Sequence, residues 1–480
     1  MDFSPILSLR TGSDAFAFVV TSTFVLASLL VGYFMLKKIS TGKALPMAST
    51  SILEAVRGIG GADAPFFILG LSKKMKTLNF RLPIPLSLQG VYVIGDPKLA
   101  KEIQSDKTTG KPRALYKALD GASCGLKSLF NQPNNDYTKG IRKSTSHAFS
   151  KNEVGRMNEI ALKHVNRWLQ ERSNLDTPFD PAHEMTRITF FSICEAAFEY
   201  EATEEEFADF AHVSEVSLRE FGVKQVSNPL RGTFIGNFIP SVREAHRCAA
   251  KSMEFARRVL EAYRKNPNKS KQNTLIKLIE GADVLANNDA EKVSNANMYL
   301  VAGMDTTGYS LSNTMVFLAK HQVVQDKLRR ELANAGDKRP EDVPYFVCVV
   351  KEGNRVLPVA SMNPWRQAGR AFELDGLVVP KGALILMPAI LTNYDSRLFE
   401  DPETYRPERW ENASKEMIEA AHPFSYGTRN CIGQSLAMAE INSILPKLVS
   451  RFVLDLVDEG KPDFFLTSKF AGARLKIRAV

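Results

Sequence analysis

Near its C-terminal end the chain reads Phe424-Ser425-Tyr426-Gly427-Thr428-Arg429-Asn430-Cys431-Ile432-Gly433, and the run QSLAMAEINSILPKLVSRF that follows has helical periodicity. One cysteine between two glycines at the mouth of a helix is a demanding arrangement. Gly427 and Gly433 leave the backbone free to turn and to approach a flat ligand closely. The first N–H groups of a helix stabilise a thiolate, whose unperturbed pKa is about 8.5. Arg429, two residues before Cys431, can meet an anionic group on such a ligand. A lone cysteine beside a turn also reads as a structural thiol. The other cysteines, at 124, 194, 248 and 348, add no second centre. No two of the five lie closer than 54 residues, which argues against a CxxC pair and a local Cys/His zinc site, and their odd number fits a reducing compartment.

From Ala15 to Leu36 there are 22 residues without a charge. As a helix this stretch is about 33 Å long at roughly 1.5 Å per residue, enough for a hydrocarbon core of about 30 Å. Lys37, Lys38 and Lys43 follow it and only Arg10 precedes it. The expected topology is a single-pass anchor, with residues 1–14 translocated and the body after residue 38 in the cytosol. A cleaved signal peptide is the alternative, but its apolar region spans about 7–15 residues after a basic start. The polar stretch 41–51 predicts a flexible connection. With residues 37–50 as linker, residues 51–480 read as one body without internal repeats.

Hydrophobic residues make up 44% of the chain and charged residues 24%, which excludes global disorder and a many-span membrane protein. The net charge of +9 admits nucleic acid, a membrane surface or an acidic protein as partner. No RNA- or DNA-binding signature accompanies it, so nucleic acid is not expected. Helical periodicity runs through 153–173, 255–265 and 323–335, and strand signals lie at 84–96 and 373–389 with a last hairpin from residue 465. The acidic run 199–207 starts a solvated helix, and 264–272 reads as an exposed basic loop. The fold class is mainly α with small β-sheets.

A further helical run, from about Ser294 to Lys320, contains Ala302-Gly303-Met304-Asp305-Thr306-Thr307. Glycine inside a helix costs about 1 kcal/mol against alanine. Thr306 can bond back to the carbonyl of Ala302 and bend the helix, opening a groove beside it. A solvated Asp305 with a back-bonded Thr306 is the plainer alternative. In the segment 343–358, Glu352 and Arg355 are three apart and share a helix face. Alone, such a pair is usually exposed and contributes about 0–1 kcal/mol.

The ten residues from Phe424 to Gly433 resemble the complete haem-binding loop FxxGxRxCxG of the cytochrome P-450 family, membrane-anchored microsomal type. The resemblance extends to AGxDTT at 302–307, to ExxR at Glu352 and Arg355, and to Tyr405-Arg406-Pro407-Glu408-Arg409-Trp410, close to the family's FxPERW segment. It implies a P-450-like fold enclosing heme b. Cys431 would be the axial thiolate on haem iron, Phe424 would shield the sulfur, and Arg429 would hold a propionate. Arg366 falls where the family has a second propionate-binding arginine, and Arg142 where a third stands. Thr138 occupies the position of the family's usual tryptophan before Arg142, with Tyr137 as its neighbour. Ala302 and Gly303 would lie against the distal face, Asp305 and Thr306 would relay protons there, and Glu352, Arg355 and Arg409 would form a structural charge network.

The implied activity is a monooxygenase, which puts one oxygen atom from O2 into a lipophilic small molecule. An NADPH-dependent flavoprotein reductase would supply the electrons, docking on a basic face to which Lys139, Arg142 and Lys143 contribute. The implied location is the endoplasmic reticulum membrane. Alternatives are a reductase-independent haem-thiolate isomerase, dehydratase or peroxygenase, and a non-catalytic tethered haem-binding protein. Segments implied for the substrate pocket are 105–130, 205–245, the stretch before Gly303, 359–364 and about 467–472; 234–240 is apolar enough to dip into a membrane.

Overall fold

The computed structural model describes residues 44–84, 90–171, 177–267 and 273–480. The anchor expected over 15–36 lies outside them, and among the described residues no helix is long and apolar enough to cross a membrane. The chain is mainly helical. Its longer helices are α1 (Ile52–Ile59), α2 (Ala64–Met75), α3 (Pro97–Ser105), α4 (Asp136–Thr145), α5 (Val154–Glu171) and α6 (Pro181–Phe198). They continue with α7 (Glu204–Leu218), α8 (Pro240–Lys265), α9 (Asp289–Lys320), α10 (Gln322–Asn334), α11 (Pro344–Val356) and α12 (Gln434–Arg451). Side chains specify several starts. Ser51 with Glu54, Asn135 with Thr138 and Thr203 with Glu206 form reciprocal capping boxes, and Asp96 and Asp180 cap helices that open on proline. The acidic run at 204–206 therefore sits in the first turn of α7, where it complements the helix dipole.

The strands are short: β1 (Asn79–Leu82), β2 (Val91–Ile94), β3 (Trp365–Gln367), β4 (Phe372–Leu374), β5 (Leu377–Val379), β6 (Leu384–Leu386), β7 (Phe452–Asp458), β8 (Lys461–Phe464), β9 (Ser468–Ala471) and β10 (Arg474–Ala479). One mixed sheet runs β1-β2-β6-β3, with β2 and β6 parallel through Tyr92 opposite Ile385. The single strand signal at 373–389 divides among β4, β5 and β6 because Gly376 and Gly382, both at positive φ, turn the chain twice. The expected terminal hairpin is also built differently. β8 pairs with β9, while β10 returns to the earlier β7.

The connection expected to be flexible over 41–51 is pinned from Ala44 onward. Leu45 is buried, Ala48 N–H donates to the Arg81 carbonyl at 2.8 Å, and Arg81 N–H donates to the Pro46 carbonyl at 2.8 Å. A chain that satisfies its backbone on a sheet edge is part of the body, not a tether.

α9 is the centre of the molecule, buried on nearly every face except around Ala302, Gly303 and Thr306. It approaches α6 closely. A Cβ on Gly308 would sit 2.8 Å from the Thr186 Cα, and Thr189 Oγ1 donates to the Met304 carbonyl at 2.8 Å. Sequence periodicity predicts this helix from about Ser294; it begins five residues earlier, where Asn288 accepts from Glu291 N–H.

Behind α9, Glu352 and Arg355 on α11 are fully buried and not the exposed pair that spacing alone suggests. The Glu352 carboxylate accepts from Arg355 Nε and Nη2 at 2.8 Å each, Arg409 Nε at 3.0 Å, Trp410 Nε1 at 2.8 Å and the Arg406 N–H at 2.9 Å. Arg355 also donates to the carbonyls of Asn393, Pro402 and Thr404. Two buried charges are affordable only because nearly every lone pair and proton is used. Glu352→Ala leaves two guanidiniums without their carboxylate and is expected to lower stability by about 3–5 kcal/mol, read from the denaturant midpoint.

Candidate functional site

The Cys431 loop is held from outside by α3. Ser425 Oγ donates to Gln104 Oε1 at 2.6 Å and Tyr426 N–H to the same oxygen at 3.1 Å. Ser425 and Gly427 have positive φ, at 62° and 73°. A Cβ on Gly427 would fall 2.1 Å from the Gln104 carbonyl oxygen. Gly427 therefore serves the turn and its packing on α3. Gly433, at the start of α12, has an ordinary φ of −87° and open space where a Cβ would stand. Cys431 N–H donates to the Phe424 carbonyl at 2.8 Å, closing the loop.

Cys431 is exposed although protein surrounds it, so its sulfur faces an interior space. Burial pushes its thiol pKa up, while the Gly433 N–H and the charge of Arg142 act in the thiolate's favour without prevailing. Arg142, on α4, donates Nη1 to the Asn430 carbonyl at 2.9 Å and Nη2 to the Asn430 side chain. It is turned inward against the loop, which removes it from the outer basic face; Lys139 there pairs with Asp136 at 3.3 Å. Thr138 is buried and engaged in capping α4, while Tyr137 accepts from Asn295 Nδ2 at 2.9 Å.

Arg429 donates to the carbonyls of Leu129 and Gln132 at 3.0 and 2.9 Å. Arg366 is buried on β3, and its one side-chain bond among the described residues is to the Trp365 carbonyl at 2.9 Å. Lys111, which sequence reasoning missed, donates to the Phe130 carbonyl at 2.6 Å and lies over the rings of Tyr116 and Phe130 at 4.7 and 4.5 Å. Burial, then Arg429, Arg366 and Arg142, drive its pKa well below the ordinary lysine value. Arg429 falls to about 10, from burial and then the charge of Arg366. Four cations thus converge, and no carboxylate is among the groups that act on them. Such a cluster calls for an anion.

On α9, Thr306 is exposed while its neighbours Asp305 and Thr307 are buried. Thr306 Oγ1 donates to the Ala302 carbonyl at 2.8 Å. Ala302 and Gly303 are half-buried, and a Cβ on Gly303 would meet the Ile193 Cδ1 at 2.1 Å. Asp305 is not solvated. Burial raises its pKa to about 7, with Lys469 lowering it and Glu215 raising it. On α12, the buried Glu440 is pushed well above its ordinary value by burial, with Thr307 of α9 as the one group that opposes this. Nothing local in the sequence signals Lys111, Gln104 or Glu440 as parts of this region.

Comparison with known proteins gives the family. The cytochrome P450 family model matches residues 84–478, and the chain belongs to that family. It is 32% identical over 190 residues to cytochrome P450 3A31 of Mesocricetus auratus, covering 38% of each chain. It is 29% identical over 203 residues to cytochrome P450 monooxygenase ORF9 of Penicillium roqueforti, covering 41% of this chain and 39% of that one. It is 33% identical over 199 residues to cytochrome P450 monooxygenase traB of Penicillium crustosum, covering 37% and 39%. The matched part spans about two-fifths of the length of these relatives. The family's cofactor is haem, bound through a cysteine thiolate.

The residues present fit that group. The cation cluster suits two propionates, and Cys431 reaches the same interior space with open ground beside Gly433. Gly427→Ala combines a left-handed backbone cost of about 1–2 kcal/mol with a clash on α3. The expected outcome is a displaced loop and a lower ratio of haem absorbance to protein, with helix content by circular dichroism unchanged.

Proposed function

We propose that the protein is a haem-thiolate monooxygenase, inserting one oxygen atom from O2 into a lipophilic small molecule while the other leaves as water. The observation that carries this reading is the presence of two features in one chain. One is a cysteine beside an anion-seeking cation cluster; the other is a buried acid and an exposed alcohol adjacent on α9. Cys431 would ligate the iron, and Arg142, Arg366 and Arg429, joined by Lys111, would hold the propionates. When bound, the haem supplies the activation of O2, with two electrons delivered singly by an NADPH-dependent flavoprotein reductase.

The chain's own residues supply protons and exclude water. A carboxyl that titrates near 7 can both give and take a proton at neutral pH, which an ordinary aspartate cannot do. Thr306 is exposed with its proton directed to the Ala302 carbonyl, which leaves its oxygen lone pairs free to accept a hydrogen bond. A retained acid–alcohol pair also favours oxygenation over the reductase-independent rearrangement of peroxides. The anchor at 15–36 and a cytosolic body on the endoplasmic reticulum membrane remain part of the proposal, and the charge asymmetry around the apolar run supports them.

Reduced protein under carbon monoxide is expected to show the red-shifted absorption of thiolate-ligated haem, and Cys431→Ser to lose it. A histidine-type spectrum in the wild type overturns the assignment. Thr306→Ala is expected to release more peroxide per NADPH consumed; unchanged coupling removes Thr306 from the relay.

A further inference from the structure

Asp305 and Tyr309 are four apart on α9 and so share a face of the helix. Tyr309 is buried, packs edge-on to Phe465 at 6.2 Å, and accepts from Lys469 Nζ at 3.3 Å. Lys469, on β9, lies over the Tyr309 and Phe465 rings at 5.0 and 5.4 Å. Its ammonium is also 3.6 Å from Glu215 Oε2 on α7. Glu215 pairs with Arg219 at 2.8 Å, and Arg219 with Asp463 on β8 at 2.7 Å. A line of alternating charges therefore joins α7 to the β8–β9 hairpin and ends at the face of α9 that carries Asp305. Lys469 itself is mostly buried, with its side chain 16% exposed against 38% for Glu215.

The charged and titratable groups that act on this face come from α7 and the residue that follows it, from β9 and from the cap of α6. Lys469 opposes the proton on Asp305 and Glu215 favours it, while Tyr309 stands between, itself acted on by Arg219 and Asp180. We propose that Lys469 and Glu215 are positioning residues that act in opposition on Asp305 and set when it carries its proton. The inference rests on the reading of Asp305 and Thr306 as the proton relay. The neutral side of this balance is intrinsic to a buried carboxyl, and the ammonium is what makes ionisation accessible.

The test is a pH titration of the buried carboxyl C=O stretch by infrared difference spectroscopy of the holoprotein, with the band assigned by its loss in Asp305→Asn. The wild-type midpoint is expected near pH 7. Lys469→Met removes the opposing cation and moves the midpoint up; Glu215→Gln removes the supporting anion and moves it down, each by about half a pH unit or more. Lys469→Arg keeps the charge and returns the midpoint toward the wild type. A merely structural pair would lower stability without producing opposite shifts. Midpoints that stay together, or move in the same direction, overturn the proposal. The titration needs no turnover, so a protein without the thiolate carbon monoxide band would fail the functional reading and still report on this pair.

Discussion

The buried carboxylate of Glu352 governs how the second half of the chain is arranged. A carboxylate taken out of water must be surrounded by donors, and Glu352 draws them from α11, from Arg406 N–H and from the Arg409 and Trp410 side chains. Arg355 in turn gathers carbonyls at 393, 402 and 404. These contacts, together with the burial of Phe399, Tyr405 and Trp410, fix an irregular stretch. That stretch leads directly into the Cys431 loop, so a network that touches no reacting group sets where the cysteine can stand.

α9 answers a different constraint. A helix buried on nearly all sides normally carries apolar residues throughout. Here polar side chains are spread along it, and most are absorbed by neighbours: Asn295 by Tyr137, Asn297 by Ser252, Ser310 by Asn354 and Asn313 by Phe470 N–H. The hydroxyls of Tyr299 and Thr145 are hydrogen-bonded at 2.7 Å, tying α9 to the helix that carries Arg142. Asp305 and Thr306 differ from these. Among the described residues the one is buried without a partner of opposite charge at bonding distance, and the other is exposed.

Much of this was legible before any coordinates. The loop from Phe424 to Gly433, the acid–alcohol pair and the three charges at 352, 355 and 409 all lie in short contiguous patterns, where chemistry and spacing are read together. Helices with capping boxes or long periodicity were equally open to reading. Contacts between distant segments were not. Gln104 meets Ser425 across 321 positions, and nothing in PKLAKEIQS distinguishes that glutamine from any other on an amphipathic helix. Lys111 sits in a loop without periodicity, and its meaning comes only from the three arginines that fold around it. The packing of Gly427 on α3 is hidden in the sequence for the same reason. A glycine announces freedom of the backbone, but whether a ligand or another helix fills the space depends on the tertiary structure.

The electrostatics of the interior are divided by α9 and the cysteine loop. On one side four cations repel one another in a low dielectric, an arrangement that costs stability unless an anion joins them. On the other a carboxyl is held near neutrality by burial, with one ammonium and one carboxylate balanced against each other at its edge. Either feature alone could be a local accident of packing. Together they set a group kept positive by three arginines apart from a carboxyl whose charge is adjustable by a single proton. A bound dianion would offset much of the first and leave the second as the place where ionisation can change during a reaction. The same desolvation thus produces both effects: it raises the cost of the unpaired cations, which selects for an anionic cofactor, and it lifts Asp305 into the range where a proton can move at neutral pH.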